Sequence, residues 1–288
     1  MKKIMMHPNP TRDINLENTR KIAQFLTSRG IEVTIPEDVA TVDYPCFKIL
    51  PFEEAVCDAD MIISLGGDGS ILHTVAKTAG MGIEILGINS GRMGYMAEIE
   101  ADEFDYLEQV LDGNYIVEER MMIDVAIRRG QDIIAEGSGL NDVVVAKTNR
   151  LKIIDIDVYA DRSFISHYQG DGVAIATPTG STAYSMSAGG PIVDPITESI
   201  TITPICTHSL SAKPIVLSSK REISVQALSR VEGSIGVSVD GSSPVELNYG
   251  DQVIIKRSNH MTKLVRVKNI NFYDILCTKL SDRRFDAN

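Results

Sequence analysis

The sequence predicts an α/β domain built on a parallel sheet, then a β-rich sandwich domain, with a last helix returning to the first domain. Three observations predict this. Up to about residue 115, apolar strand-like runs alternate with helical patterns, which is the rhythm of a parallel sheet with helices on its faces. From 116 to 267, short β-rich runs punctuated by turn residues take over, as in an all-β sandwich or barrel. After 268 a helical spacing returns. The expected boundaries are therefore 1–115, completed by 268–288, and 116–267.

The elements justify this in order. Lys3-Ile4-Met5-Met6 is a short strand. Asp13 caps a helix carrying Ile14, Ile22, Phe25 and Leu26, and Gly30 is its natural stop. Ile31 to Ile35 alternates as a second strand. Met61-Ile62-Ile63-Ser64-Leu65 is continuously apolar, as expected of a strand covered on both faces. Ile71, Leu72, Val75, Ala76 and Ala79 form a helical stripe, Ile83 to Ile88 another strand, and Phe104, Leu107, Val110 and Leu111 a further helix. This first domain is Rossmann-like. The β-rich runs that follow are Met121–Ile127, Val143–Ala146, Ile153–Tyr159, Gly172–Thr177, Ile223–Val225, Ile235–Val239 and Val253–Lys256, with turns at Arg129-Gly130 and Asp240-Gly241. Phe272, Ile275, Leu276 and Leu280 mark the closing helix.

Composition narrows the function classes. With 43% hydrophobic and 23% charged residues, 288 residues bury one large core or two smaller ones. The net charge of −11 argues against nucleic acid as the main partner, because phosphate backbones need a basic face. An anionic substrate would have to be held by local N–H groups, a cation or a few Lys and Arg. No apolar run reaches membrane-span length, and Met1 to His7 is not a signal peptide. Cys46, Cys57, Cys206 and Cys277 stand apart, so free, mostly buried thiols in a reducing cytoplasm are expected. The five histidines have no metal-ligand spacing and read as satisfied or surface residues. Asp155 and Asp157 share one face of a strand, Arg128-Arg129 and Arg283-Arg284 read as solvated charges, and the methionines as core fillers.

Leu65-Gly66-Gly67-Asp68-Gly69-Ser70 lies between a buried strand and a helix. Glycines let backbone N–H groups approach a phosphate, and the helix N-terminus favours an anion. The spacing is neither the dinucleotide fingerprint nor a P-loop. Asp68 is the odd feature, since a carboxylate in a phosphate loop repels the ligand unless it has another task. It could accept a proton, hold Mg²⁺, or simply cap the helix. The pattern resembles that of 6-phosphofructokinases, diacylglycerol and sphingosine kinases, and NAD kinases.

Gly170 to Pro191 (GDGVAIATPTGSTAYSMSAGGP) reads as a strand, a Pro-Thr-Gly turn and a loop dense in hydroxyls, with Tyr184 offering a flat face for a base. By chemistry alone it is either a ligand-wrapping segment or a surface loop of small residues. The stretch closely resembles the long signature of NAD kinases. Leu140-Asn141-Asp142 resembles that family's Asn-Glu/Asp motif, and Asn89-Ser90-Gly91-Arg92-Met93-Gly94-Tyr95 its Gly-x-x-Gly-aromatic segment. The resemblance runs in order along most of the chain.

It implies an enzyme that moves a phosphoryl group from ATP or polyphosphate to the 2′-hydroxyl of the adenosine ribose of NAD, with a divalent cation, Mg²⁺, on the donor. It implies Asp68 as the proton acceptor, with Gly66, Gly67 and Gly69 bordering the phosphates. Asn141, Asp142, Asp171, Thr182, Ala183, Tyr184, Ser185, Met186 and Ser187 would surround NAD. His73, Lys152 and Gln169 fall near positions of variable ligand contact. A homo-oligomer, dimer or tetramer, is the family's usual state. Three departures stand out: Ser70 where Thr is common, Asp142 where many members have Glu, and Asp240-Gly241-Ser242 where Asp-Gly-Gln is expected. Two other functions compete with this one: a lipid or sugar kinase sharing the glycine loop, and a non-catalytic NAD(P)-binding module.

Overall fold

The computed structural model describes residues 1–91, 94–148, 152–209, 212–228 and 234–282. Arg92 and Met93 of the aromatic segment, and Arg283-Arg284, lie outside the described residues. The chain divides into two compact units. One is Met1–Glu119 with Thr262–Asn288, and the other is Arg120–Met261.

The first unit contains β1 (Lys3–Pro8), α1 (Glu17–Ser28), β2 (Glu32–Pro36), β3 (Lys48–Leu50), α2 (Phe52–Cys57), β4 (Met61–Gly66), α3 (Asp68–Thr78), β5 (Glu84–Asn89), β6 (Ile99–Glu100) and α4 (Phe104–Leu111). The strands run parallel in the order β3-β2-β1-β4-β5, with β6 beside the end of β5. Every residue of β4 is buried, so both faces of the sheet are covered there. The order reverses between β1 and β4, and ligands of open α/β sheets bind at such a switch point, at the carboxyl ends of the strands. The glycine turn leaves β4 at that end.

The second unit begins within β7 (Ile116–Arg129). It continues through β8 (Asp132–Gly139), β9 (Asp142–Lys147), β10 (Ile154–Ala160), β11 (Ser163–Gly170), β12 (Gly172–Ala176), α5 (Tyr184–Ser187), β13 (Ser199–Ile205), β14 (Ile215–Ser218), β15 (Ile223–Ala227), β16 (Ile235–Val239) and β17 (Val245–Leu247). Strand β18 (Gln252–Arg266) belongs to this unit up to Met261 and then pairs with β5 of the first unit through Lys263 and Leu264. The closing helix is α6 (Phe272–Asp282). One sheet has the order β14-β13-β12-β9-β16-β17, and the other joins β11, β10, β15 and β18 with β7 and β8. Ile123, Val125, Ile156, Val158 and Val225 from one sheet share a core with Val143, Val145, Val173, Ile175 and Val237 from the other. That makes a β-sandwich.

Three expectations are corrected. Asp13 caps, but its carboxylate accepts from the backbone N–H of Asn18 (2.9 Å) and Thr19 (2.9 Å), because a 3-10 turn at Ile14–Leu16 precedes α1; Ile14 is therefore exposed, off the buried stripe of Ile22 and Leu26. The cysteines are free but not buried: Cys57, Cys206 and Cys277 are exposed and Cys46 half-buried, for three of them lie at or near element ends rather than on core-facing positions. His7 is neither satisfied nor on the surface. It is buried on β1, with Nδ1 2.8 Å from Thr74 Oγ1 and Nε2 without a partner.

Candidate active site

The glycine turn is built by close approach. A Cβ on Gly66 would lie 2.2 Å from Ser70 Oγ, and one on Gly67 would lie 3.1 Å from Nη1 of Arg12 and 3.9 Å from Oδ1 of Asn89. Gly69 faces open space. Ser90 N–H and Oγ–H donate to the Gly66 carbonyl (3.0 and 3.2 Å), and Asn9 Nδ2 donates to Ser70 Oγ (3.2 Å). The ends of β1, β4 and β5 are thereby tied around the turn. Helix α3 starts at once, and its first N–H groups have no intrahelical partner, which makes them donors for an anion. Arg12 and Asn9 were not singled out from the sequence, because they lie more than fifty residues upstream and only the parallel pairing of β1 with β4 brings them here. Exposed Arg12 brings a positive charge to the turn in a chain whose net charge is −11.

Asp68 does not cap its helix. Gly67 occupies the cap position, and no side-chain cap bond is made. Instead the Asp68 carboxylate accepts three backbone N–H groups: Tyr95 on Oδ2 (2.8 Å), and Met96 (3.0 Å) and Ala97 (3.3 Å) on Oδ1. Gly94 makes room for it, since a Cβ there would lie 1.9 Å from Asp68 Oδ1. Gly94 to Ala97, the end of the Gly-x-x-Gly-aromatic segment and the two residues after it, thus form a cradle for this carboxylate. Oδ2 carries one of the three bonds and keeps a lone pair. His73, one turn along α3, is exposed, with its ring stacked on His7 at 5.3 Å.

In the second unit the loop before β9 and the motif after β12 meet. Asn141 and Asp142 are buried, at 7% and 5% exposure. Thr177 N–H donates to the Asn141 carbonyl (2.8 Å) and Thr177 Oγ–H to the Leu140 carbonyl (2.5 Å). Gly180 is required by contact, since a Cβ there would lie 2.0 Å from the Asn141 carbonyl oxygen. The Asp142 carboxyl accepts the Tyr184 backbone N–H, while burial, with the nearby Asp240 carboxylate adding to it, pushes it up to about 7. Oδ1 of Asn141 is buried without a partner.

The hydroxyls of the long motif divide into two sets. Thr177, Ser181 and Ser185 turn inward: Ser181 Oγ–H donates to the Pro178 carbonyl (2.6 Å), and Ser185 Oγ lies 2.8 Å from Thr203 Oγ1. Thr182 and Ala183 are half-buried, as is Met186, whereas Tyr184 and Ser187 are exposed. Asn141 and Asp142 therefore meet the Gly180–Tyr184 segment through Gly180 and Tyr184, and Ser185, next along it, is buried. Asp171 does not join them. It precedes β12 whereas Thr177 follows it, and it is ion-paired with Lys147 (2.5 Å) at the opposite end of the β9–β12 pair. Gln169 is exposed on β11 and donates to Asp155 Oδ1 (3.1 Å); Lys152 is exposed just before β10. Asp155 and Asp157 do share a face, with His167 Nδ1 2.7 Å from Asp157 Oδ1.

A glycine turn with an anchored carboxylate, set at the switch point of a parallel sheet and followed by a β-sandwich, defines a class, the phosphotransferases of the Gly-Gly-Asp-Gly type. The comparisons give the family. Residues 4–115 match the ATP-NAD kinase N-terminal domain, and residues 140–267 match the ATP-NAD kinase C-terminal domain. The chain is 38% identical over 285 residues to the NAD kinase of Caldanaerobacter subterraneus subsp. tengcongensis, covering 98% of this chain and 100% of that one. It is 36% identical over 283 residues to the NAD kinase of Symbiobacterium thermophilum, covering 98% and 99%. Among solved structures it is similar to yeast NADH kinase complexed with NADH, with a TM-score of 0.87 and 25% identity over 95% of this chain and 85% of that one. It is also similar to an NAD kinase from Archaeoglobus fulgidus in complex with ATP, with a TM-score of 0.76 and 27% identity over 98% and 99%. The chain belongs to the ATP-NAD kinase family. No described helix is long and apolar enough to cross a membrane.

Proposed function

We infer that this chain transfers a phosphoryl group from ATP to the 2′-hydroxyl of the adenosine ribose of NAD, giving NADP, with Asp68 as the general base. The observation that carries the role of Asp68 is its cradle. Three backbone N–H groups fix a carboxylate inside a glycine turn built for phosphate, an expensive placement unless that carboxylate has work beside the phosphoryl group. An alcohol is a poor nucleophile at neutral pH, and an Asp68 Oδ2 with a free lone pair is suited to take its proton. Gly66, Gly67 and Gly69 border the donor's phosphates, with Arg12 as counter-charge. Asn141, Asp142, Thr182, Ala183, Tyr184, Met186 and Ser187 contact NAD, and Ser185 holds their segment in place. Asp171, His73, Lys152 and Gln169 are peripheral to these clusters.

Kinase chemistry with ATP implies a divalent cation. No three described His, Cys, Asp or Glu side chains form a metal site. A Mg²⁺ carried on a triphosphate needs only one or two protein oxygens, and the buried, unpartnered Oδ1 of Asn89 fits that need. When bound, such a cation neutralises charge on the phosphates.

The test is NADP formation from ATP and NAD with Asp68→Asn, alongside the unaltered chain with and without excess chelator. The variant should lose at least roughly 10²-fold in kcat, with NAD affinity by calorimetry changed less than about threefold, a difference worth under 1 kcal/mol. A near-normal kcat overturns the base assignment. Undiminished turnover in chelator overturns the cation. Polyphosphate as the donor in the same assay, and light scattering of the same sample for a dimer or tetramer, test the donor and the assembly; a monomeric mass overturns the latter.

A further inference from the structure

We propose that Asp240 is a positioning residue of the acceptor site: it gathers the backbone N–H groups that set the Asn141–Asp142 dipeptide, and so fixes two of the side chains that hold NAD. The proposal rests on the reading above that Asn141 and Asp142 contact NAD.

Asp240 closes the turn after β16 in the left-handed region, at φ +48, where non-glycine residues are uncommon and Asp is among the better tolerated. From there its Oδ2 accepts the N–H of Leu140 (2.7 Å), and its Oδ1 accepts those of Asn141 (2.8 Å) and Asp142 (2.9 Å). The Asp240 N–H returns a bond to the Asp142 carbonyl (2.9 Å). Thr177 satisfies the carbonyls of Leu140 and Asn141 from the other side. Every peptide N–H and carbonyl from Leu140 to Asp142 thus has a partner. Oδ1 of Asn141 has none, although it is buried. The backbone is fixed, and a side chain is held in reserve for something the chain itself does not supply.

As a device for stability alone, this arrangement is poor. It sets a half-buried carboxylate close to a buried one, and loss of water around them pushes both upward. An ordinary two-residue turn needs only a positive φ, which Asn or Gly provides more cheaply. What Asn cannot provide is two acceptor oxygens for three N–H groups. A costly feature concentrated on one dipeptide marks a functional constraint.

The test compares Asp240→Asn with Gly241→Ala. Gly241 lies in the same turn at φ +77, with nothing within 4 Å of its Cβ position, so alanine strains the turn without touching the three N–H groups. We expect Asp240→Asn to raise KM for NAD at least tenfold, leave KM for ATP within twofold and lower kcat less than threefold. Gly241→Ala should lower Tm and leave all three constants within twofold. Equal effects of the two variants on KM for NAD would reduce Asp240 to a turn residue and overturn the proposal. Asn141→Ala separates the proposal from the reading beneath it. If Asn141→Ala leaves KM for NAD unchanged, that reading fails and the proposal falls with it. If Asn141→Ala raises it and Asp240→Asn does not, the proposal alone fails. Positioning also requires non-additivity, so Asp240→Asn should add less than twofold in an Asn141→Ala/Asp142→Ala background. Should Asp240→Asn not fold, Asp240→Gly, which relieves the φ strain and removes the carboxylate, gives the same expected split.

Discussion

Both units devote a carboxylate to three consecutive backbone N–H groups, and they differ in what the carboxylate then does. Asp68 faces Tyr95, Met96 and Ala97; Asp240 faces Leu140, Asn141 and Asp142. Asp68 stands at the first position of α3, half-buried and in the favourable potential of a helix start. Asp240 stands in a tight turn with a second buried carboxylate, Asp142, beside it. On the function proposed above, the bonds in the first unit hold the reactive group itself. In the second they hold a stretch of backbone, whose neighbouring side chains would then carry the function. On that proposal one bonding pattern serves chemistry in one place and placement in the other.

The sharpest way to break that contrast is to fill the space each device needs. Gly94→Ala would put a Cβ 1.9 Å from Asp68 Oδ1, and Gly180→Ala would put one 2.0 Å from the Asn141 carbonyl oxygen. Each clash must be relieved by a backbone shift, at a typical overpacking cost of about 1–3 kcal/mol in stability. The kinetic consequences should differ. Gly94→Ala displaces Asp68, the proposed base, and should lower kcat at least about tenfold, with little change in NAD affinity. Gly180→Ala displaces the dipeptide and should weaken NAD binding at least about tenfold, or 1.4 kcal/mol. Steady-state kinetics and NAD titration on both variants decide the matter. If both change the same parameter, the division of labour is wrong.

A second contrast is in titration, and here the signs oppose. Burial first, then the neighbouring His73 and Lys77, lower His7 in the first unit from 6.5 to about 4. The unfolded chain takes up this proton more readily, so stability is full above pH 6.5 and falls as pH drops toward 4, by about 3 kcal/mol. Asp142 in the second unit is raised from 3.8 to about 7. The folded chain keeps that proton longer, so stability is full below pH 4 and falls as pH rises toward 7, by about 4 kcal/mol. Over pH 4 to 6.5 the two trends largely cancel, and Asp240, also raised, reinforces Asp142. Urea unfolding at steps between pH 4 and 8 should therefore show only a shallow loss of stability with rising pH for the unaltered chain, because Asp142 and Asp240 together outweigh His7. His7→Phe, which keeps a ring against His73, should expose the decline toward pH 7. Asp142→Asn should expose a rise from pH 4 to 6.5 with a plateau above. Profiles for both variants that match the parent would remove these two groups as the cause.

How much of this was legible in the sequence follows from the range of each interaction. Strand β4, the helix after it and the β-rich rhythm follow from local periodicity, and so does the positive-φ turn at Asp240-Gly241, because turn chemistry is local. Strands β8, β11, β13, β14 and β17 of the second unit escaped, as did the short β3 and β6 of the first. β8 carries Glu136 and two glycines on an exposed edge, and β13 alternates Ile with Ser and Thr while being buried at every position. The glycine turn and the long motif were visible as motifs. What Gly94, Thr177 and Gly180 do was not, since each is defined by a contact with a distant segment. Asp240 shows the boundary most clearly: its turn could be read, but its bonds reach back about a hundred residues to Leu140–Asp142. Ser185 shows the reverse, a hydroxyl in a ligand-like motif that faces Thr203 inside the sandwich.

The smallest expected effect concerns the residue after that turn. Ser242 stands where the family resemblance leads one to expect Gln, which raises the question of whether the third residue of this turn touches the substrate. Its surroundings answer locally. Ser242 is exposed, its Oγ accepts the Val239 N–H (3.2 Å), and its carbonyl accepts from Ser238 Oγ–H (2.7 Å). Both bonds close the turn on itself, and neither reaches Leu140, Asn141 or Asp142. Ser242→Gln would lose the Val239 bond at an exposed site, worth about 0.5–1.5 kcal/mol at most, and would leave the Asp240 carboxylate where it is. NAD affinity by calorimetry should stay within about twofold, a change of under 0.5 kcal/mol, beside the tenfold or larger loss expected for Asp240→Asn. If instead Ser242→Gln strengthens NAD binding tenfold, the third residue of the turn reaches the ligand. Placement would then not be the work of Asp240 alone, and the contrast between a reactive carboxylate in one unit and a purely positioning one in the other would have to be redrawn around the whole turn.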